Sequence, residues 1–241
     1  GIGKEVALRL ARDGSHIVVV DMDEDAAQGT LEDIEALGRQ ALFCQVDVSD
    51  WNQVKTMVDQ TLETFQRVDI LVCSAGITGP LNAPVHTYDL EEWNRVVAVN
   101  MTGIFLCCKA VLAPMLEQQS GRIVNMASIA AKDGNPGMCG YVASKGAVMA
   151  FTRCMARELG ALNINVNSLA PGYTQSEASK TIERDRQDGG MDPEKIMMQR
   201  RCLKRSEDPA DLVGTAIFLA SEMSSFITGQ LILCDGGSSF H

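Results

Sequence analysis

The chain has 241 residues, of which 46% are hydrophobic and 22% are charged, and its formal net charge is −10. This length suits one large α/β domain or two small ones, and the composition is that of a globular protein with a sizeable core. The acidic balance, with both signs mixed along the chain, argues against nucleic acid or an anionic membrane as a partner.

Apolar periodicity and turn residues predict an alternation of helices and strands. The chain opens on a helical pattern after Gly1 that ends near Gly14, and the β-branched run 17–21 is a strand that ends in Asp21. Further on, helices are predicted over 26–37, 51–65, 91–116, 141–159 and 211–219, and strands over 41–47, 68–73, 122–126, 164–169 and 231–234.

This alternation predicts an α/β fold, a Rossmann-like doubly wound parallel sheet with helices on both faces. No repeat or linker divides the chain, so residues 1–241 are predicted to form a single domain for dinucleotide binding and catalysis. The polar segment 176–205, with Asp188-Gly189-Gly190 in its middle, breaks the alternation. Long excursions of this kind are often binding loops, so we interpret it as a substrate-binding lid, with a solvated insertion as the alternative.

The cysteines and histidines favour neither a disulfide framework nor a metal site. The eight cysteines are scattered, most of them in apolar runs, and none forms a C-x-x-C pair. We expect reduced core thiols in a cytoplasmic protein. The three histidines are isolated, so no metal is expected. No apolar run reaches the roughly 18 residues of a membrane span, and no signal peptide is recognised.

The first residues have the spacing of a dinucleotide site. Gly1 and Gly3 open the first helix, where backbone N–H groups can bind a pyrophosphate. An acid about 20 residues later accepts hydrogen bonds from the adenosine ribose, and Asp21 lies 18 residues after Gly3. A carboxylate repels a 2′-phosphate and the neighbouring Met22 supplies no cation, so NAD is predicted rather than NADP. The alternative is an ordinary helix start and a turn acid.

A tyrosine and a lysine four residues apart lie at the start of helix 141–159. Residues i and i+4 share one face of a helix, so the phenol of Tyr141 is expected beside the ammonium of Lys145. A nearby positive charge lowers the pKa of a phenol from about 10, which would let Tyr141 exchange a proton near neutral pH. Ser128 follows strand 122–126, at the edge where open α/β sheets bind ligands.

Together these motifs resemble the short-chain dehydrogenase/reductase family, from Gly1 to Gly237. The matches follow that family's order and spacing: Gly1-Ile2-Gly3 at the end of the glycine-rich loop, Asp47-Val48 at the adenine, Ser74-Ala75-Gly76 in place of N-A-G, the tetrad Asn100, Ser128, Tyr141 and Lys145, Pro171-Gly172 beside the nicotinamide, and Asp235-Gly236-Gly237. The family's first strand and the start of its phosphate loop have no counterpart. Because that strand is central, we expect exposed apolar edges, in a chain that is either part of a longer protein or truncated.

The resemblance implies a role for each residue of the tetrad. Tyr141 would pass a proton to or from the substrate oxygen, and Lys145 would lower its pKa and bind the nicotinamide ribose. Ser128 would hydrogen-bond the substrate oxygen. Asn100 would hold a water that relays protons from Lys145, or would simply tie down a neighbouring strand.

The expected function is NAD(H)-dependent hydride transfer between nicotinamide and a secondary alcohol or ketone, such as a polyol or sugar. One alternative is reduction of a 3-oxoacyl thioester, with an acidic carrier protein near Arg200, Arg201, Lys204 and Arg205. Another is a non-catalytic NAD-binding or truncated inactive protein. The resemblance also implies a homotetramer paired through helices 91–116 and 141–159. Four residues could line that interface or pack on the sheet: Leu106, Cys107, Val111 and Met115.

Overall fold

A computed structural model describes residues 1–176, 179 and 193–240. Its strands are β1 (Ile17–Asp21), β2 (Ala41–Gln45), β3 (Ile70–Cys73), β4 (Gly121–Met126), β5 (Ile164–Pro171) and β6 (Leu231–Cys234). Its helices are α1 (Ile2–Arg12), α2 (Glu24–Ala36), α3 (Trp51–Phe65), α4 (Leu90–Val97), α5 (Gly103–Gln118), α6 (Ile129–Asp133), α7 (Cys139–Leu159), α8 (Pro193–Arg200) and α9 (Pro209–Ala220). Short 3₁₀ turns lie at Val85–Thr87, Gly160–Leu162 and Glu222–Ser224.

The strands form two parallel sheets. One has the order β1-β2 and the other has the order β3-β4-β5-β6. The predicted Rossmann-like architecture of parallel strands between helices is confirmed. The strands fall into two sheets because no ladder joins β1 to β3 in the part of the chain described. Most residues of these two strands are only half-buried, whereas every residue of β4 and β5 is buried.

Helices cover both faces of the larger sheet, because successive side chains of a strand point to opposite faces. Ile123 of β4 belongs to a core cluster with residues of α3, α5 and α7. Val124 and Met126 of the same strand pack instead with Val6 of α1 and Leu212 of α9. Each fully buried side chain of this kind contributes about 1.5–3 kcal/mol to stability. The two clusters hold the strand ends, and the residues that follow them, in fixed positions.

The predicted helix 91–116 is longer and less regular than expected. α4 and α5 are joined by a π-helical turn, Ala98–Thr102, into one continuous helix Leu90–Gln118. By length and composition this helix could cross a membrane. In the structure it is a core helix, and Leu106, Cys107, Val111 and Met115 are all buried within the first core cluster. These four residues therefore pack inside the molecule and do not form an interface.

Side-chain caps explain several element boundaries that the periodicity did not give. Asp23 accepts a hydrogen bond from the N–H of Ala26, so α2 begins two residues before the predicted start. Ser128 caps α6 through the N–H of Ala130, and this helix was not predicted because five residues are too few to show a period. β5 continues to Pro171 because its end pairs with β6.

The cysteines follow the predicted pattern only in part. All eight are free thiols, and four of them are buried: Cys44, Cys73, Cys107 and Cys108. Cys154 and Cys202 are exposed, so the expectation of core thiols is wrong for these two.

Candidate active site

The predicted site residues lie at the carboxyl ends of the parallel strands. Asp21 ends β1, Ser74 follows β3, Ser128 lies just beyond β4, and Pro171 ends β5. In open α/β folds ligands bind outside this edge. The strand order thus places the candidate cofactor and substrate residues on one side of the molecule.

Ser128, Tyr141 and Lys145 come together as predicted. The Ser128 hydroxyl lies close enough to the Tyr141 phenol to lower the pKa of that phenol. Lys145 Nζ lies 5.9 Å from the centre of the Tyr141 ring and donates a 2.7 Å hydrogen bond to the carbonyl oxygen of Met126, the last residue of β4. The lysine is only 4% exposed. The hydroxyls of Ser128 and Tyr141 and the ammonium of Lys145 therefore lie close together near the start of α7, where Ser128 and Lys145 are buried.

Burial shifts the pKa values of the tyrosine and the lysine in opposite directions. It lowers the pKa of Lys145 from 10.5 to about 8, against a smaller opposing effect of the Cys73 thiol. It raises the pKa of Tyr141 above 10, while the hydrogen bond with Ser128 acts the other way. The net shift of the tyrosine pKa is thus upward in this structure, and the lowering expected from Lys145 stays a prediction. The reason for both shifts is that desolvation disfavours both charged forms, the phenolate and the ammonium.

Asn100 has a clear structural role. It lies in the π-helical turn, is fully buried, and makes two 2.8 Å hydrogen bonds with the backbone of Ile77, one to its carbonyl and one from its N–H. Its Nδ2 also donates to Ser144 Oγ at 3.1 Å, and Ser144 Oγ donates to the Tyr141 carbonyl at 2.8 Å. Asn100 therefore ties the loop after β3 to α7. Its predicted part in a proton relay stays a prediction.

Two glycines pack closely against side chains of the site. A Cβ added at Gly76 would lie 3.2 Å from Asn100 Oδ1 and 3.3 Å from Lys145 Nζ. A Cβ at Gly3 would lie 2.6 Å from Ser74 Oγ, so the first turn of α1 packs directly on the loop after β3. That turn begins at Gly1 without a side-chain cap. Its backbone N–H groups suit the diphosphate of a dinucleotide.

The acid at the end of β1 fits a ribose. One carboxylate oxygen of Asp21 accepts a 3.1 Å bond from the N–H of Asp23, and a carboxylate has further acceptor sites for two hydroxyls. Met22 is 63% exposed, and its carbonyl accepts a 3.0 Å bond from Gln45. Lys145 uses one of its three donors on Met126, which leaves donors of the right kind for a second ribose. The residues present therefore fit NAD.

The remaining predicted contacts occupy the same edge. Asp47 follows β2 and accepts two hydrogen bonds from Ser49, at 2.9 Å and 2.7 Å, while Val48 packs against Gly103 of α5. Ala75 is exposed and Ile2 is half-buried beside the second core cluster. Gly172 donates to the Cys234 carbonyl at 3.3 Å, which sets the end of β5 beside β6.

Several residues that shape the site were not predicted. Ser144 lies between Tyr141 and Lys145, and its position in the same helical turn is the signal that could have indicated it. Arg201 and Glu207 are buried beside Gly172, but charged residues in a polar stretch give no sign of burial. Within the predicted lid 176–205, residues 177, 178 and 180–192 lie outside the described residues, and α8 occupies the part before Arg201. The lid itself stays a prediction.

Comparison with protein families and relatives agrees with this geometry. A family described as "Enoyl-(Acyl carrier protein) reductase" matches residues 1–239. The 3-oxoacyl-(acyl-carrier-protein) reductase FabG of Staphylococcus epidermidis is 37% identical over 238 residues, which are 98% of this chain and 94% of that protein. The corresponding reductase of Synechocystis sp. is 37% identical over 239 residues, 98% of this chain and 92% of that protein.

Solved structures give the same result. A levodione reductase superposes with a TM-score of 0.92 at 30% identity, covering 98% of this chain and 93% of that chain. An NAD⁺-bound xylitol dehydrogenase superposes with a TM-score of 0.90 at 34% identity, covering 98% of this chain and 94% of that chain. The names of these relatives cover reductases of ketones and dehydrogenases of alcohols.

Proposed function

The chain belongs to the short-chain dehydrogenase/reductase family, and from that premise we propose that it is an NAD(H)-dependent reductase of ketones, with 3-oxoacyl thioesters as its first candidate substrates. The observation that carries the proposal is the Ser128–Tyr141 hydroxyl pair beside Lys145 at the carboxyl end of β4. Two hydroxyls and a lysine in this arrangement suit proton transfer to a single substrate oxygen.

The pKa directions favour the reductive direction of the reaction. A bound nicotinamide supplies the hydride for a carbonyl carbon. The substrate oxygen then gains negative charge, which Ser128 stabilises by donating a hydrogen bond. Burial keeps Tyr141 in its protonated form, so it donates a proton to this oxygen. With a pKa of about 8, Lys145 is mostly protonated at neutral pH and stabilises the tyrosinate that this step leaves.

The relatives support a 3-oxoacyl thioester, while the charges argue against a large acidic carrier protein as its obligatory donor. Of the four basic residues near the predicted lid, Arg200 bonds Asp133, Arg205 bonds Asp211, and Arg201 is 1% exposed. Lys204 donates to two backbone carbonyls near the end of α8. With a net charge of −10 as well, the chain suits an uncharged pantetheine thioester better than an acidic protein.

The second candidate is oxidation of a polyol or sugar alcohol. Asp21 favours NAD, and an NAD⁺-bound xylitol dehydrogenase is among the similar structures. Assays of NADH oxidation with acetoacetyl-coenzyme A and of NAD⁺ reduction with xylitol distinguish the two. Activity only with the polyol refutes the first candidate, and NADH binding without turnover of any substrate supports the non-catalytic alternative.

Tyr141→Phe tests the chemistry of the site directly. It should lower kcat by about 100-fold or more, because a general acid contributes at least that much, and leave the Kd for NADH nearly unchanged. Tyr88→Phe is the matched control. The hydroxyl of Tyr88 is buried with no hydrogen-bond partner within the described part of the chain, so its loss should leave kcat within a factor of about two. Retained turnover in Tyr141→Phe would exclude the proton-transfer role.

Cofactor preference is tested separately. Asp21→Ala/Met22→Arg removes the carboxylate that repels a 2′-phosphate and adds a cation, so the ratio of the Kd values for NADPH and NADH should fall by about tenfold or more. Asp25→Ala removes a nearby exposed carboxylate that caps no helix, and it serves as the control. An unchanged ratio in the double variant would show that Asp21 does not contact the ribose.

The proposal also includes a cytoplasmic location and a homotetramer. Free thiols at all eight cysteines suit a cytoplasmic protein. The net charge of −10 argues against nucleic-acid and anionic-membrane partners. For a homotetramer, α5 offers Phe105, which is 41% exposed and packs edge-to-face on Phe151 of α7 at 6.1 Å. Phe105→Glu should lower the mass measured by light scattering if this face is the interface.

A further inference from the structure

The residues just after β5 and those just before α9 are joined by buried polar contacts. Thr174, just after β5, forms a parallel bridge with Glu207, and the N–H of Gln175 donates to the Glu207 carbonyl at 2.7 Å. A side-chain hydrogen bond joins the same two residues, because Thr174 Oγ1 donates to Glu207 Oε1 at 2.6 Å. Both side chains are buried, so the connection is shielded from water.

Arg201 completes this connection from the end of α8. Its Nη2 donates to the Tyr173 carbonyl at 2.6 Å and lies 3.3 Å from Glu207 Oε2, while its Nη1 donates to the Arg205 carbonyl at 3.1 Å. Arg201 is 1% exposed and Glu207 is 5% exposed. Thr174, Arg201 and Glu207, here called the stem clamp, thus hold the residues on both sides of segment 176–200 at a fixed spacing.

The stem clamp sits directly behind the sheet edge that carries the active site. A Cβ at Gly172 would lie 2.5 Å from Glu207 Oε2, so the carboxylate packs against the backbone at the end of β5. β5 is the neighbour of β4, and the N–H of Ala127, the residue before Ser128, donates to the Leu169 carbonyl at 2.8 Å. A shift of residues 171–174 would therefore change the wall of the site next to Ser128.

The neighbouring arginine makes a second connection to the same site. Arg200 Nη2 bonds Asp133 Oδ2 at 2.6 Å, and Asp133 ends α6, the helix that Ser128 caps. Two consecutive arginines thus fix the end of α8, one to the helix of Ser128 and the other to the end of β5.

Stability alone is a poor reason for a buried ion pair. Desolvation of two charges commonly offsets their attraction, and apolar replacements of similar volume are often neutral. In addition, Arg201 Nε is buried with no hydrogen-bond partner in the described region. The pair does bond its surroundings: Arg201 donates to the backbone carbonyls of Tyr173 and Arg205, and the Glu207 carboxylate accepts from Thr174 Oγ1. These contacts join the residues after β5 to those before α9, which is the pattern expected of a pair that fixes backbone position.

We propose that Arg201 and Glu207 are positioning residues, which hold the backbone of residues 171–174 in the arrangement that cofactor binding and hydride transfer require. The inference rests on the proposed function, because it assigns the clamp a role at that same site. The clamp touches neither substrate nor cofactor and acts through the backbone at the end of β5.

The test compares Arg201→Met and Arg201→Met/Glu207→Met with Arg205→Met. The control, Arg205→Met, lies four residues from Arg201 and breaks an exposed ion pair with Asp211. In the double variant no buried charge is left unpaired, so folding should persist even where Arg201→Met alone unfolds. We expect both Arg201 variants to raise the Kd for NADH about tenfold and to speed hydrogen exchange at residues 172–175, with the control within a factor of about two.

The result that overturns the proposal is a double variant with wild-type Kd for NADH, kcat and exchange rates. The pair would then serve charge balance only. Hydrogen exchange and NADH affinity do not depend on turnover. If the wild type binds NADH but turns over no substrate, the proposed function fails, while these two measurements still decide whether the clamp positions the site.

Discussion

Burial of Lys145 predicts a specific dependence of stability on pH. Replacement by Met keeps a long apolar side chain and removes the amine. Because the folded state lowers the pKa of this lysine from 10.5 to about 8, the charged form is disfavoured in the fold by about 3 kcal/mol. The side chain is almost wholly buried, so solvent screening does not reduce this figure much.

The sign follows from proton binding. Below pH 8 the lysine is protonated in both the folded and the unfolded state, and its full cost is present. Between about pH 8 and 10.5 the unfolded chain keeps the proton while the folded chain releases it, so stability rises with pH. Relative to Lys145→Met, the wild type should therefore gain up to about 3 kcal/mol across this window.

Urea unfolding at pH 7, 8, 9 and 10 measures the effect as a difference between the two proteins. Tyrosines and cysteines that titrate in this range are common to both and cancel in that difference. Lys55→Met removes an exposed lysine and controls for the loss of one charge. A difference between the wild type and Lys145→Met that stays constant from pH 7 to 10 would show that Lys145 is not desolvated in the fold.

Two further changes test other parts of the site and the fold. Gly76→Ala places a methyl group within 3.3 Å of both Asn100 Oδ1 and Lys145 Nζ, so the Kd for NADH should rise about tenfold with little change in Tm, which calorimetric titration and thermal melts would check. Asn100→Leu leaves the N–H and carbonyl of Ile77 unpaired and should cost about 3 kcal/mol in urea unfolding; a cost below 1 kcal/mol would refute the bonding role.

Much of the fold could be predicted because the strands are short β-branched runs between helical patterns. The ends of β1 and β6 and both ends of α3 match the predicted positions. Errors occur where a side chain, not the periodicity, sets the boundary, as with Asp23 at α2 and Ser128 at α6. The π-helical turn at Asn100 was also missed, because one extra residue within a helix barely changes the apolar pattern.

The sequence could predict which residues lie in the candidate site, but not the direction in which the pKa of Tyr141 shifts. Sequence spacing placed Tyr141 beside Lys145, and the structure brings both next to Ser128. The spacing cannot show how much water surrounds them. An exposed pair would have a lowered tyrosine pKa, whereas the buried pair has a raised one. The stem clamp could not be predicted for the same reason. In the sequence, Arg201 and Glu207 cannot be distinguished from the exposed charged residues around them, and only the structure shows that they are buried.

Cofactor binding would connect the strand ends of both sheets. Asp21 ends a strand of the smaller sheet, while Ser128 and Pro171 lie at strand ends of the larger sheet. Strands of both sheets contribute to one core cluster, and Gly3 of α1 contacts Ser74 after β3. A dinucleotide bound from Asp21 to Lys145 would contact residues of both sheets. Its binding energy would therefore stabilise the fold as well as align the nicotinamide with Tyr141.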